Sequence, residues 1–178
     1  MKNKFILVVL LVIVGGVLYS LFGKSVQTPS KDCLGIPTPQ QTEGPYYKTG
    51  SPQTNNIAQG IVGEKLKVTG FVFDRNCRPV ANAWLDFWQA DAKGVYDNSG
   101  YKLRGHQYSN HLGKYTLETI VPGAYETRPP HIHVKVGAAD GLILTSQLYF
   151  PNAGQKDLIM DIVDEEDGKI GTFNFIMP

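Results

Sequence analysis

The chain reads as an all-β sandwich of short, mostly antiparallel strands. Three observations carry that expectation. Apolar and polar residues alternate in short runs, Gly, Pro, Asn or Asp separates one run from the next, and only one weak segment has a helical period. Such runs, each with one face toward a common interior, close most simply as two packed sheets.

The N-terminus is the exception. Met1-Lys2-Asn3-Lys4 precedes an uncharged run from Phe5 to Gly23, which as a helix would span about 28 Å, close to the hydrocarbon thickness of a bilayer. Residues 1–23 read as a signal anchor, because the run exceeds the usual apolar core of a signal peptide and no small-x-small cleavage site follows. A cleaved signal peptide is the alternative. Lys2 and Lys4 favour a cytoplasmic N-terminus, so in either case the remainder lies outside the cytoplasm, membrane-anchored or secreted. Residues 24–32 form a short polar linker, and residues 33–178 one domain, long enough to bury a sizeable core.

Within that domain the strand candidates follow in order. Leu66 to Asp74 ends at the turn Asp74-Arg75-Asn76-Cys77, and Ala83 to Gln89 opens just after Asn82. In this second run Trp84 and Trp88, four apart, share a face and read as packing. Gly113 to Ile120 begins on a glycine, and His131 to Val136 begins after two prolines, which cannot donate to a sheet ladder. Leu142 to Phe150 and Thr172 to Ile176 complete the set. Asp157 to Val163 is the weak helix candidate. Asp164-Glu165-Glu166-Asp167-Gly168 lacks the alternating ligand spacing of a calcium loop and reads as a solvated turn.

Charge excludes one class of partner. A net charge of +1, with 19% charged residues and the cations scattered, leaves no basic stripe for nucleic acid.

The chemistry concentrates in Tyr125 to His133, where a phenol, a guanidinium and two imidazoles fall close together. At i and i+2 on a strand, His131 and His133 share one face, while Ile132, Val134 and Val136 turn to the other. The strand can bind a metal on one side and pack core on the other. Taken singly, Tyr96 and Tyr125 read equally as ordinary half-buried sheet tyrosines. Arg128 and Gln147 read equally as surface positions, and His106 and His111 as loop or surface histidines.

In order, the chain carries Thr42-Glu43-Gly44-Pro45-Tyr46-Tyr47, Cys77 to Ala83, Leu85 to Asp91 with Gly94-Val95-Tyr96, Gly113 to Tyr125, Arg128 to His133, and Leu144 to Phe150. This series resembles the intradiol ring-cleavage dioxygenases, over about residues 40 to 150. The resemblance implies a mononuclear non-haem Fe(III) held by Tyr96, Tyr125, His131 and His133, with Tyr125 the ligand that leaves when substrate chelates. It likewise implies that Arg128 stabilises charge on the bound ring and that Gln147 lines the same pocket. The implied reaction opens a catechol-type ring with O2 to a cis,cis-muconate-type product. The cytosolic catechol enzymes of that family use a long helical N-terminal segment to dimerise, in whose place this chain has the candidate anchor. Neither the oligomeric state nor the choice of catechol follows from the resemblance.

Elementary chemistry agrees with the ligand set. Holding a phenol ionised at pH 7 costs about 4 kcal/mol, so two phenolates require a strongly polarising cation. Two phenolates and one hydroxide neutralise a trivalent ion, and a neutral cluster suits a low-dielectric interior. Two other classes stay open: a non-catalytic extracellular β-sandwich that binds carbohydrate or protein, and a zinc or copper site on the two histidines with both phenols protonated. Cys33 and Cys77, the only 2 cysteines, are a candidate disulfide outside the cytoplasm, worth roughly 4 kcal/mol on the chain-entropy model, or else two free thiols.

Overall fold

The computed structural model describes residues 33–178; the anchor expected over 1–23 and the linker over 24–32 lie outside the described residues. No helix among the described residues is long and apolar enough to cross a membrane. Nine strands are present among the described residues: β1 Lys65–Phe73, β2 Trp84–Trp88, β3 Arg104–Tyr108, β4 Lys114–Ile120, β5 His131–Gly137, β6 Ile143–Tyr149, β7 Asp161–Glu165, β8 Gly168–Thr172 and β9 Phe175–Ile176. They form two sheets. One runs β4-β1-β8-β7 with β9 also on β1, and the other β3-β2-β5-β6. Every pairing is antiparallel except those of β1 with β8 and with β9.

The core lies between the sheets. Leu85 and Phe87 of β2, Ile132, Val134 and Val136 of β5, and Leu144 and Leu148 of β6 meet Leu66, Val68, Val72, Tyr115 and Leu117 of the opposite sheet. Alternation then sends Trp84, Asp86 and Trp88 of β2, and His131 and His133 of β5, to the outer face. That face is also covered. The segment from Thr38 to Thr54 crosses it, tied down where Gln41 N–H donates to the Thr145 carbonyl and where Thr54 N–H donates to that of His106. A sheet buried on both faces can therefore keep polar residues out of water on the side away from the core.

The all-β class and five of its six expected strands are present, with local corrections. Asp157 to Val163 is not a helix: a single 3₁₀ turn at Lys156–Leu158 leads into β7. Its apolar residues serve a β-hairpin whose turn is Glu166-Asp167, so the expected solvated turn is narrower than Asp164 to Gly168. Thr172 to Ile176 is two pieces, because the backbone leaves β8 at Thr172 and rejoins β1 as β9. The strand β3 was not anticipated. It takes His106 out of the loops, whereas His111 is an exposed turn residue. Cys33 and Cys77 are bonded, with 5.7 Å between their Cα atoms.

Candidate active site

Register assembles the site. Arg104, Trp88, His133 and Gln147 are direct partners across β3, β2, β5 and β6, and so form one transverse row on the outer face. His131 and Tyr149 are partners in the next row. Loops supply the rest. Tyr96 follows a turn in which the Asp91 carboxylate accepts the Lys93 and Val95 N–H groups. Tyr125 stands in a turn where it and Arg128 exchange both backbone hydrogen bonds. The two loops touch backbone to backbone, with Gly123 N–H donating to the Asp91 carbonyl. A Cβ on Gly94 would lie 2.0 Å from the Ala124 carbonyl oxygen, so that contact requires glycine.

The imidazoles face each other. Their Nε2 atoms are 3.0 Å apart, and the Tyr96 hydroxyl lies 3.4 Å from Nε2 of His131. His131 donates Nδ1–H to the Pro129 carbonyl at 2.7 Å, which leaves its Nε2 with a free lone pair. His133 has no protein partner for its buried Nδ1. Burial, with His131 and Arg128 adding like charge, depresses the His133 pKa to about 2. Burial lowers that of His131 as well. Both rings are thus neutral donors, as metal ligation requires. Burial also raises the Tyr96 phenol to about 12, against the opposing charges of Arg128 and Arg104. Only a cation at the same point would make that phenol a phenolate at neutral pH. The donor set accordingly fits a hard metal ion.

The hydroxyl of Tyr125 is held differently. It donates to Glu126 at 2.8 Å and lies 2.5 Å from the Tyr46 hydroxyl, and hydrogen bonding of the phenol proton to Tyr46 and Glu126 raises its pKa. Its ring meets that of Tyr96 edge-on, 5.6 Å between centres. Tyr96, His131 and His133 therefore converge on one point, while Tyr125 sits beside them with its hydroxyl engaged elsewhere. Arg128 and Gln147 meet: the guanidinium donates to Gln147 Oε1 at 2.6 Å and to the Tyr149 hydroxyl at 2.9 Å. Gln147 in turn donates to the Thr42 carbonyl at 2.9 Å.

A family model described as Dioxygenase matches residues 42–174. The chain belongs to the intradiol ring-cleavage dioxygenase family. The dioxygenase domain of a dioxygenase carbohydrate-binding protein fusion from Streptomyces sp. SirexAA-E shares its fold at TM-score 0.77 and 43% identity, over 79% of this chain and 97% of that one. An intradiol ring-cleavage dioxygenase from Tetranychus urticae matches at TM-score 0.74 and 25% identity, over 80% and 94%. Catechol 1,2-dioxygenase of Acinetobacter baylyi is 27% identical over 75% of this chain but only 57% of its own length. This family member spans about half the length of many of the curated relatives it matches.

Several residues of this site carried no assigned role in the sequence. Tyr46 stacks on Tyr96, 4.3 Å between centres and 12° between planes, and Trp88 stacks on His133. Tyr149, Glu126 and Arg104 touch the same groups. The motif Thr42 to Tyr47 was the one available signal for Tyr46. Trp88 read as packing, and it is packing, but against a ligand candidate.

Proposed function

We propose that this chain is a non-haem Fe(III) intradiol dioxygenase that opens the ring of a catechol-type substrate with O2 to a cis,cis-muconate-type product. The observation that carries the reading is that Nε2 of His131 lies 3.0 Å from Nε2 of His133 and 3.4 Å from the Tyr96 hydroxyl. His131, His133, Tyr96 and Tyr125 would hold the ion, which would supply the Lewis acidity that activates a catecholate toward dioxygen.

The chain's own groups do the rest. Tyr125, ionised as a ligand of the ion, would take a catechol proton at Oη on substrate binding and so return to the neutral phenol that bonds to Glu126 and Tyr46. Arg128, braced by Gln147 and Tyr149, stabilises negative charge developing on the ring. The outer-face cover from Thr38 to Thr54 excludes water from the imidazole pair.

We further propose that residues 1–23 anchor the chain, with residues 33–178 the catalytic domain outside the cytoplasm. The uncharged run Phe5 to Gly23 and the Cys33–Cys77 bond, suited to an oxidising compartment, support this reading.

The decisive experiment is purification, ferric reconstitution, and oxygen uptake across a panel of catechols. A burgundy protein with a tyrosinate-to-metal absorption and catechol-dependent oxygen consumption is expected. A preparation that stays colourless after reconstitution and instead holds zinc or copper on the histidines would overturn the dioxygenase reading. Tyr125→Phe is expected to alter the absorption and slow oxygen uptake. Accessibility of the domain to protease in intact cells tests the anchored location.

A further inference from the structure

Arg104 lies in the row of Trp88 and His133 but at its far end, 3% exposed. Among the described residues it makes no salt bridge. Its donors go instead to two backbone carbonyls from separate segments. Nη1 donates to Tyr46 at 2.6 Å, and Nη2 to Asp97 at 3.1 Å, with Nε also toward Asp97 at 3.4 Å. Burying a cation with no carboxylate bonded to it is expensive, offset in part by the nearby charges of Asp97 and Asp86, and each segment is already held without it.

The Asp97 loop closes on itself, since the Asp97 carboxylate accepts the N–H groups of Ser99, Gly100 and Lys102. The Tyr46 segment is pinned next door, where Tyr47 and Ser51 both donate to the Asp86 carboxylate. Farther along the two segments Lys48 donates to the Ser99 and Gly100 carbonyls and Tyr101 to that of Thr49; Arg104 supplies the buried tie that places one segment relative to the other beside the rings. The rings that follow from that placement are Tyr46 and Tyr96, stacked face to face.

We propose that Arg104 is a positioning residue: its planar fork clamps the Tyr46 and Asp97 carbonyls together, sets the stack of Tyr46 on Tyr96, and so aims the Tyr96 hydroxyl at the imidazole pair. The part of this that concerns catalysis rests on the ligand role proposed for Tyr96. A guanidinium suits the task because its donors diverge in one plane, whereas an ammonium keeps the charge and loses that geometry.

The test compares Arg104→Lys and Arg104→Gln with Ser109→Ala in the full chain. Ser109 is equally buried and bridges the Val80 carbonyl and the Ala83 N–H at the opposite end of the sheet. In the metal-free protein, amide exchange is expected to quicken about tenfold in both 45–48 and 96–98 when Arg104 is replaced. In the ferric protein, Arg104→Lys shifts or weakens the tyrosinate absorption and lowers kcat about tenfold or more, as misplacement by a fraction of an ångström does. Ser109→Ala lowers the melting temperature and leaves absorption and kcat unchanged.

An Arg104→Lys protein with wild-type absorption and kcat would overturn the positioning role, whatever its stability. If Arg104→Gln does not fold, Arg104→Lys decides alone. If the wild-type chain takes up no iron, the iron reading fails on its own, and the exchange measurement still tests the clamp. Unchanged exchange in either segment would sink it.

Discussion

The indole of Trp88 lies flat on the imidazole of His133, 4.8 Å between ring centres and 11° between planes. Because both side chains are almost fully buried, the stack limits the His133 ring to one orientation. Trp88→Ala is expected to lower unfolding free energy by about 3–5 kcal/mol, the usual result of emptying so large a core site. It should also weaken ferric binding, while Trp88→Phe, which keeps an aromatic face, loses less of both. Denaturant melts and iron titrations check this; unaltered iron affinity in Trp88→Ala would show that the stack does not orient the ligand.

Gln147 accepts from both Arg128 and Tyr149 while donating to the Thr42 carbonyl. Gln147→Leu keeps the volume and removes the three bonds of Gln147, leaving the Arg128 guanidinium held only by Tyr149. A fall in kcat of roughly 10- to 100-fold is expected, with a stability loss of about 1–3 kcal/mol. Steady-state kinetics beside a thermal melt separates the two effects.

Acid should destabilise the metal-free protein in a window set by its histidines. Folded His133 stays neutral down to about pH 2, and His131 is shifted the same way. The unfolded chain protonates both near pH 6.5. Between those values the unfolded state binds more protons, so stability present above pH 6.5 is lost as pH falls. Burial raises Asp86 and acts in the opposite direction, whereas Asp74, lowered by its bonds to Arg78 and Asn76, loses its contribution only below about pH 4. By pH 4.5 the expected loss is about 2–3 kcal/mol for His133, read as a falling melting temperature. A flat profile from pH 7 to 4.5 would contradict it.

The Cys33–Cys77 bond spans a sequence separation of 44. Cys77→Ser is expected to cost about 3–4 kcal/mol, or roughly 10 °C in melting temperature. Reductant should do the same to the wild-type protein and nothing to the variant.

Legibility in the sequence followed the range of the interactions. The strands β1, β2, β4, β5 and β6 could be found because their alternation is local, and β5 announced its ligand pair because i and i+2 always share a strand face. Arg104-Gly105-His106-Gln107-Tyr108 escaped notice as β3: it has a glycine at its second position, no apolar alternation, and polar residues that are buried only because other segments cover them. β7 resembled a helix because Leu158, Ile159, Met160 and Ile162 also satisfy a helical period, and only pairing with β8 decides between the two.

The chain by itself determined the family, the all-β class and the cluster of phenols, imidazoles and guanidinium around Tyr125 to His133, since each rests on residue types and short spacings. Only the tertiary structure decided that Arg104, Trp88, His133 and Gln147 stand in one row, that Tyr46 stacks on Tyr96, and that the Tyr125 hydroxyl turns to Tyr46 and Glu126. The physical reason is that cross-strand register and loop packing join residues far apart in the chain, and no local pattern encodes which distant side chain will fill the space beside another.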